Sequence, residues 1–122
     1  MSKVLKNIGA IGENVALQYL KKRNYSILEK NYHSHWGEID IIAKKENKII
    51  FIEVKTRIGY KKGKPYEAIN FYKLRGLNRA INYYILQNKL KGYKLSLDLV
   101  SIILHEDLSV KKLDYFENIE GG

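Results

Sequence analysis

Apolar residues recur at helical spacing in two segments of the chain. The first segment predicts a helix from near Gly9 to Arg23, and Asn24 suits the left-handed residue that commonly follows a helix. The second predicts a longer helix from about Pro65 to Gln87, because proline is favoured in a first helical turn. The apolar stripe of this second helix consists of Leu74, Leu77, Ile81, Tyr84 and Ile85.

An acidic residue lies on the apolar face of the first predicted helix. At about 100° per residue, Leu17 and Leu20 share a face with Ala16, and Glu13 falls on that same face. Burying a carboxylate beside leucines is unfavourable unless it has a partner or a chemical role. Glu13 therefore needs an explanation that packing alone does not give.

Five segments have the composition of strands, at residues 25–32, 38–44, 48–56, 95–104 and 110–116. The second and third are separated by a few residues only and predict a hairpin. Together with the helices, the order is αβββαββ. This order predicts an α/β or α+β fold in which helices flank a sheet.

Alternation within the hairpin separates apolar from charged side chains. Ile39, Ile41 and Ala43 are predicted to face the core from the first strand, and Ile50, Ile52 and Val54 from the second. The opposite face carries Glu38, Asp40, Phe51, Glu53, Lys55 and Arg57.

The hairpin register brings some of these charges together. A two-residue loop at Glu46-Asn47, or a four-residue loop around it, places Asp40 opposite Glu53. The same register places Glu38 opposite Lys55. Opposed residues lie about 5 Å apart, so the sequence predicts three carboxylates and an amine in one small patch.

Two opposed carboxylates repel each other, and burial makes the repulsion worse. A divalent cation offsets both costs, and carboxylate oxygens select Mg²⁺ or Mn²⁺. An adjacent lysine can orient a water nucleophile or stabilise charge on a phosphate. The ordinary alternative is a solvated strand face, but the run IIFIEV at 49–54 is apolar on both faces apart from its acid, which indicates a covered central strand.

Asp40 followed by Glu53-Val54-Lys55 resembles the PD-(D/E)xK nuclease superfamily, which has the restriction-endonuclease-like fold. GEIDIIA, FIEVKTR and the Gly12-Glu13 pair together resemble the uncharacterised YraN family within it, from about Gly9 to Ile102. The resemblance also includes single residues outside these motifs: Asn31, Gly63, Pro65, Lys73 and Asp98.

The resemblance implies a mixed sheet flanked by helices and roles for individual residues. Asp40, Glu53 and the backbone carbonyl of Val54 would be metal ligands, and Lys55 would assist the attacking water. Glu13 would be the acid that many members supply from the first helix. Glu38 belongs to the YraN pattern more than to the superfamily pattern, and Ile39 stands where the superfamily often has proline. For Asp98, a structural partnership is expected rather than a metal role.

Composition adds a partner and a compartment to these expectations. The length of 122 residues fits one domain over 1–122, and the net charge of +9 favours a polyanionic partner, although a lysine-rich compositional bias also explains it. The absence of cysteine suits the cytoplasm, and no run is long enough to span a membrane. Candidate nucleic-acid contacts are Arg57, Lys61, Lys62, Lys64 and Lys73, for each of which a solvated position is the alternative.

Two aromatic or imidazole features near the hairpin have competing interpretations. His33 and His35 form an HxH pair that can bind metal, but an exposed connector is the expected role. Trp36 can stack on a base, with partial burial at a strand entrance as the expected alternative.

The sequence thus predicts a Mg²⁺- or Mn²⁺-dependent endonuclease acting on DNA, with branched or single-stranded DNA as candidate substrates. Two other functions stay open at this point. One is a non-catalytic nucleic-acid-binding module that retains the carboxylates, and the other is a protein-interaction domain. Symmetric cutting of two strands would require a dimer, and the sequence identifies no interface for one.

Overall fold

The computed structural model describes residues 3–59 and 70–120 and has the predicted order αβββαββ. Within these two ranges the fold is a mixed α+β arrangement of one five-stranded sheet and two helices, as the sequence predicted. The elements are α1 (Lys3–Lys22), β1 (Ser26–His33), β2 (Glu38–Lys45), β3 (Lys48–Ile58), α2 (Phe71–Gln87), β4 (Lys94–Leu104) and β5 (Val110–Phe116).

Asparagines mark the ends of both helices. Asn24 has a φ of 68°, the left-handed residue that the sequence predicted after α1. The side chain of Asn70 accepts a hydrogen bond from the Lys73 amide at 2.9 Å, which caps the start of α2. Asn88 donates its backbone N–H to Tyr84 at the other end. The second helix therefore begins at Phe71 and not at about Pro65 as predicted, because Asn70 has extended backbone and caps it; Pro65 itself lies outside the described residues.

The first helix begins earlier than the sequence predicted. It starts at Lys3 rather than near Gly9, so Gly9 is an interior residue of the helix. A glycine inside a helix costs only about 1 kcal/mol. The longer helix places Ile8 in the core, and this burial offsets that cost.

The sheet has the strand order β1-β2-β3-β4-β5, with β3 at its centre. The β2–β3 hairpin has the predicted register, in which Ile41 pairs with Ile52 and Lys45 with Lys48. β3 and β4 are parallel along their whole length, and the other neighbours are antiparallel. Parallel pairing requires a crossover between the two strands, and α2 lies within it.

Each face of the sheet is covered by one helix. On the first face, Ala16, Leu17 and Leu20 of α1 pack in one cluster with Ile41, Ala43, Ile50, Ile52, Val100, Ile102 and Leu104. On the second face, the predicted stripe of α2 packs on Ile39, Ile42, Ile49, Phe51 and Leu97. The central strand is therefore covered on both sides, as its composition indicated.

Ile39 packs on the face opposite to the one predicted. It belongs to the α2 cluster, whereas Ile41 and Ala43 belong to the α1 cluster. The regular alternation of β2 is interrupted at Asp40, opposite Asn31, whose φ of 50° breaks the pleat of β1. This irregularity lies at the predicted site.

Asp98 is a buried structural acid, as expected. It is 1% exposed and accepts hydrogen bonds from the Ser96 hydroxyl at 2.5 Å, the Asn118 amide at 2.9 Å and the Tyr115 hydroxyl. Burial and the bond to Asp98 raise the pKa of Tyr115. These contacts tie β5 and the segment after it to β4.

Candidate active site

The site forms where β2 and β3 separate. Their ladder covers Ile41 to Lys45 of β2, so the predicted pairs Asp40–Glu53 and Glu38–Lys55 lie beyond it. The Asp40 carboxylate accepts a hydrogen bond from the Val54 amide, with 2.8 Å between Oδ2 and N. Since a side chain satisfies this amide instead of the β2 backbone, the strands can diverge there without leaving a donor unpaired.

Divergence of the strands opens a cleft of about 340 Å³ between the sheet and α2. Asp40 and Glu53 both line it. The cleft is lined further by Trp36, Gly37, Glu38, Tyr72, Lys73, Gly76 and Leu77.

Glu53 is an acid in the most buried part of the central strand. The residue is 4% exposed, and burial, followed by its hydrogen bond to Asp40 and the charge of Asp40, raises its pKa to about 8. Two carboxyl groups this close cannot both ionise without a cation nearby. The local electrostatics therefore favour binding of a positive charge at this point.

Lys73 of α2 supplies one such charge. Its ammonium lies 3.0 Å from Glu53 Oε2, and its own side chain is 42% exposed at the mouth of the cleft. The sequence predicted Lys73 as a nucleic-acid contact and did not reveal this ion pair, because the two residues lie on different elements.

Lys55 follows Glu53 by two residues on β3 and is half-buried. Burial lowers its pKa most, and the charges of Lys73 and Arg57 lower it further, against the opposing effects of Glu53 and Asp40. Lys55 thus lies within electrostatic range of both acids. Asp40 and Glu53 line the cleft, whereas Lys55 lies near them on β3 without lining it.

Arg57 extends this row of cations toward the end of β3. It is partly buried, and its Nε atom has no hydrogen-bond acceptor within residues 3–59 and 70–120. The other predicted nucleic-acid contacts, Lys61, Lys62 and Lys64, lie outside the described residues.

Glu38 lies at the rim of the cleft rather than opposite Lys55. It pairs with His33 of β1, and its Oε1 lies 2.9 Å from the Nδ1 of that histidine. Both side chains are 67% exposed. His33 ends a strand at the surface, and His35 is exposed beside Trp36, in accord with the expected connector.

Glu13 approaches Asp40 from the α1 side of the sheet. Burial and then the charge of Asp40 raise the pKa of Glu13, while a hydrogen bond from the Asn31 side chain and the charge of Lys30 lower it. The left-handed backbone at Asn31 suits asparagine and places this amide at the acid. Glu13 is therefore a half-buried acid adjoining the site, although it does not line the cleft.

Gly12 allows α1 to approach β3 closely. A Cβ atom added at this position would lie 1.7 Å from Thr56 Oγ1 and 2.8 Å from Thr56 Cβ. Only glycine fits at this contact, which places Glu13 beside the strand that carries Glu53 and Lys55.

The donor atoms suit a hard divalent cation. Within the described ranges no group of three or more histidine and acidic side chains converges. Mg²⁺ commonly needs only one or two carboxylates together with substrate oxygens and water. Asp40 and Glu53, with the Val54 carbonyl, meet that requirement. The pKa of Glu53 is raised first by burial and then by Asp40, and a bound cation would favour its ionised form.

The structure thus defines the class of protein. It is an α+β domain in which two acids, Asp40 and Glu53, and Lys73 line a cleft beside the central strand. Sequence comparison places the chain more narrowly. It belongs to the family described as Uncharacterised protein family UPF0102, whose sequence profile matches residues 12–102. This agrees with the YraN resemblance, and the matched region includes every described residue of the site.

Relatives in several bacteria are similar over most of their length. A UPF0102 protein of Caldanaerobacter subterraneus subsp. tengcongensis is 40% identical over 114 residues, which is 93% of each chain. One from Clostridium botulinum is 45% identical over 101 residues, or 82% of each. One from Clostridium perfringens is 41% identical over 118 residues, or 97% of each.

Proposed function

We propose that this protein is a Mg²⁺- or Mn²⁺-dependent endonuclease that hydrolyses phosphodiester bonds in DNA. The observation that supports it most is that Asp40 and Glu53 line one cleft where β2 and β3 diverge, with Lys55 within electrostatic range of both acids. A solvated strand face would not bury Glu53 or raise its pKa to about 8. Such perturbed acids in a cleft are typical of functional sites.

In the proposed reaction Asp40, Glu53 and the Val54 carbonyl would hold the ion. The ion, when bound, would activate water and neutralise charge on a phosphoryl oxygen. Water oxygen attacks phosphorus, the bond to the leaving oxygen breaks, and that oxygen takes up a proton.

Lys55 contributes through its amine. Its lowered pKa increases the neutral fraction, which can accept a proton from the attacking water. In its charged form the same group stabilises negative charge on the phosphate. Both roles require only that the amine reach the cleft.

DNA is the proposed substrate because the cleft continues into cationic and aromatic surface. The net charge of +9 favours a polyanion, and Lys73 at the mouth of the cleft is an exposed cation that can contact a phosphate. Trp36 is 46% exposed and lines the cleft, so an unpaired base can stack on it. This favours single-stranded or branched DNA within the proposal, in a cytoplasmic setting.

A cleavage assay tests the proposal. End-labelled single-stranded, branched and duplex oligonucleotides are incubated with Mn²⁺, Mg²⁺ or EDTA. We expect metal-dependent cutting that falls at least about 100-fold in Lys55→Ala. Asp40→Asn should lose activity similarly, because it keeps an oxygen for the Val54 amide while removing the charge.

Lys89→Ala, an exposed lysine beyond the end of α2, is the matched control and should cut normally. Full activity in Lys55→Ala would contradict the proposal. Metal-independent DNA binding without any cutting would instead support the non-catalytic module.

A further inference from the structure

We propose that Lys73 is a resident cation of the carboxylate site, which the divalent metal must displace on binding. The inference rests on the proposed function, since it concerns how the same site is loaded. It makes α2 a regulatory element, because the lysine that neutralises the acids comes from that helix.

The contacts at the two acids differ in how easily they can be given up. Asp40 Oδ2 is held by the backbone amide of Val54, which is fixed within β3. Glu53 Oε2 is held by Lys73 Nζ at 3.0 Å, through a flexible four-carbon side chain. Of these two donors, only the lysine can leave without unfolding a strand.

Of the two partners, the one that would have to move on metal binding, Lys73, is the more exposed. The Glu53 side chain is 5% exposed and cannot move into solvent, whereas the Lys73 side chain is 42% exposed. The ammonium therefore has an aqueous position available at the mouth of the cleft. Both residues line that cleft, so the lysine lies on the route by which an ion would enter.

The charge of Lys73 determines whether its removal strengthens or weakens metal binding. A cation near the acids repels an incoming divalent ion about twice as strongly as it repels a proton, because the ion has twice the charge. Removing the lysine charge should then strengthen metal binding, even though a proton can take its place. A lysine that only supports the fold would have no such effect.

Isothermal titration with Mn²⁺ alone tests the exchange. The measurement is made on wild type, Lys73→Gln and Lys73→Arg at pH 8.5, where protons compete less for the carboxyls. We expect about two- to fivefold tighter Mn²⁺ binding in Lys73→Gln, the size of effect typical of a partly exposed ion pair. Lys73→Arg retains the charge and should bind like wild type.

Arg75→Gln removes the same charge two residues further along α2 and should leave the Mn²⁺ affinity unchanged. If Lys73→Gln is too unstable for calorimetry, the rise in melting temperature that Mn²⁺ produces, relative to EDTA, gives the same comparison. That rise should be larger in Lys73→Gln than in wild type.

Equal or weaker Mn²⁺ binding in Lys73→Gln would overturn the exchange and leave the nuclease proposal intact. Equal tightening in Arg75→Gln would also overturn it, since the effect would then be general electrostatics. Absence of Mn²⁺ binding in every variant would instead overturn the metal-dependent function, and the exchange with it.

Discussion

At the scale of single residues, the sequence identifies some members of the candidate site and misses others. Glu53 and Lys55 could be identified because β3 alternates regularly, and Asp40 because the hairpin register points it toward Glu53, although the alternation of β2 is interrupted there. The partnership of Lys73 with Glu53 could not, since it joins residues 20 apart on a helix and a strand. The predicted face of Ile39 was wrong, because the left-handed Asn31 interrupts the pleat beside it and Ile39 packs against α2.

Stability of the metal-free protein should depend on pH through Glu53. The pKa of this acid is about 8 in the folded chain, against an ordinary value of 4.5. The folded state therefore holds a proton that the unfolded state releases, and this stabilisation is complete below about 4.5 and is lost as pH rises toward 8. The expected loss is at most about 1.4 kcal/mol per pH unit.

Urea unfolding in EDTA between pH 5 and 8.5 measures this dependence, with Glu53→Gln as the comparison. The glutamine variant mimics the protonated acid, so its stability should fall less with pH than that of wild type. Parallel curves for the two proteins would contradict the assignment.

At the scale of elements, the site depends on how closely a helix and a sheet approach. The sequence predicted both helices, the hairpin register and the central position of β3, because each follows from local periodicity. It misplaced the starts of α1 and α2, since Gly9 and Pro65 are residue types common at helix boundaries. Only the packing of Ile8 in the core shows why α1 extends through Gly9.

Two glycines of α1 give a matched test of this approach. Gly12→Ala should destabilise the fold by about 1–3 kcal/mol, because its Cβ would clash with Thr56. Gly9→Ala has nothing within 4 Å of the new atom and should stabilise the helix by about 0.5–1 kcal/mol. Urea unfolding of both variants measures the contrast, and equal effects would refute the close contact.

At the scale of the whole molecule, a positive net charge accompanies an acidic cleft. The net charge of +9 favours nucleic acid, while the buried acids would repel it unless a cation is present. Within the described residues no helix is long and apolar enough to cross a membrane. The positive net charge and the paired acids of the cleft agree with the proposal that metal and polyanion are bound by the same face.

Trp36 provides a direct readout of that face, because the chain has a single tryptophan. Binding of a single-stranded oligonucleotide in Ca²⁺ should quench its fluorescence, and the affinity should fall steeply as salt is raised. A Trp36→Phe/Leu95→Trp variant moves the reporter to an exposed position paired with Ile49, away from the cleft. Quenching that follows the reporter to Leu95 would place the nucleic acid elsewhere.

The sequence by itself determined the elements, the hairpin register and the pair of acids, because helical and strand periodicities are local properties of the chain. Tertiary structure alone decided that Asp40 would cap the Val54 amide, that β2 and β3 would diverge there, and that Lys73 would reach Glu53. Those contacts join positions brought together only by packing α1 and α2 on opposite faces of one sheet, and no local pattern encodes the distance between them.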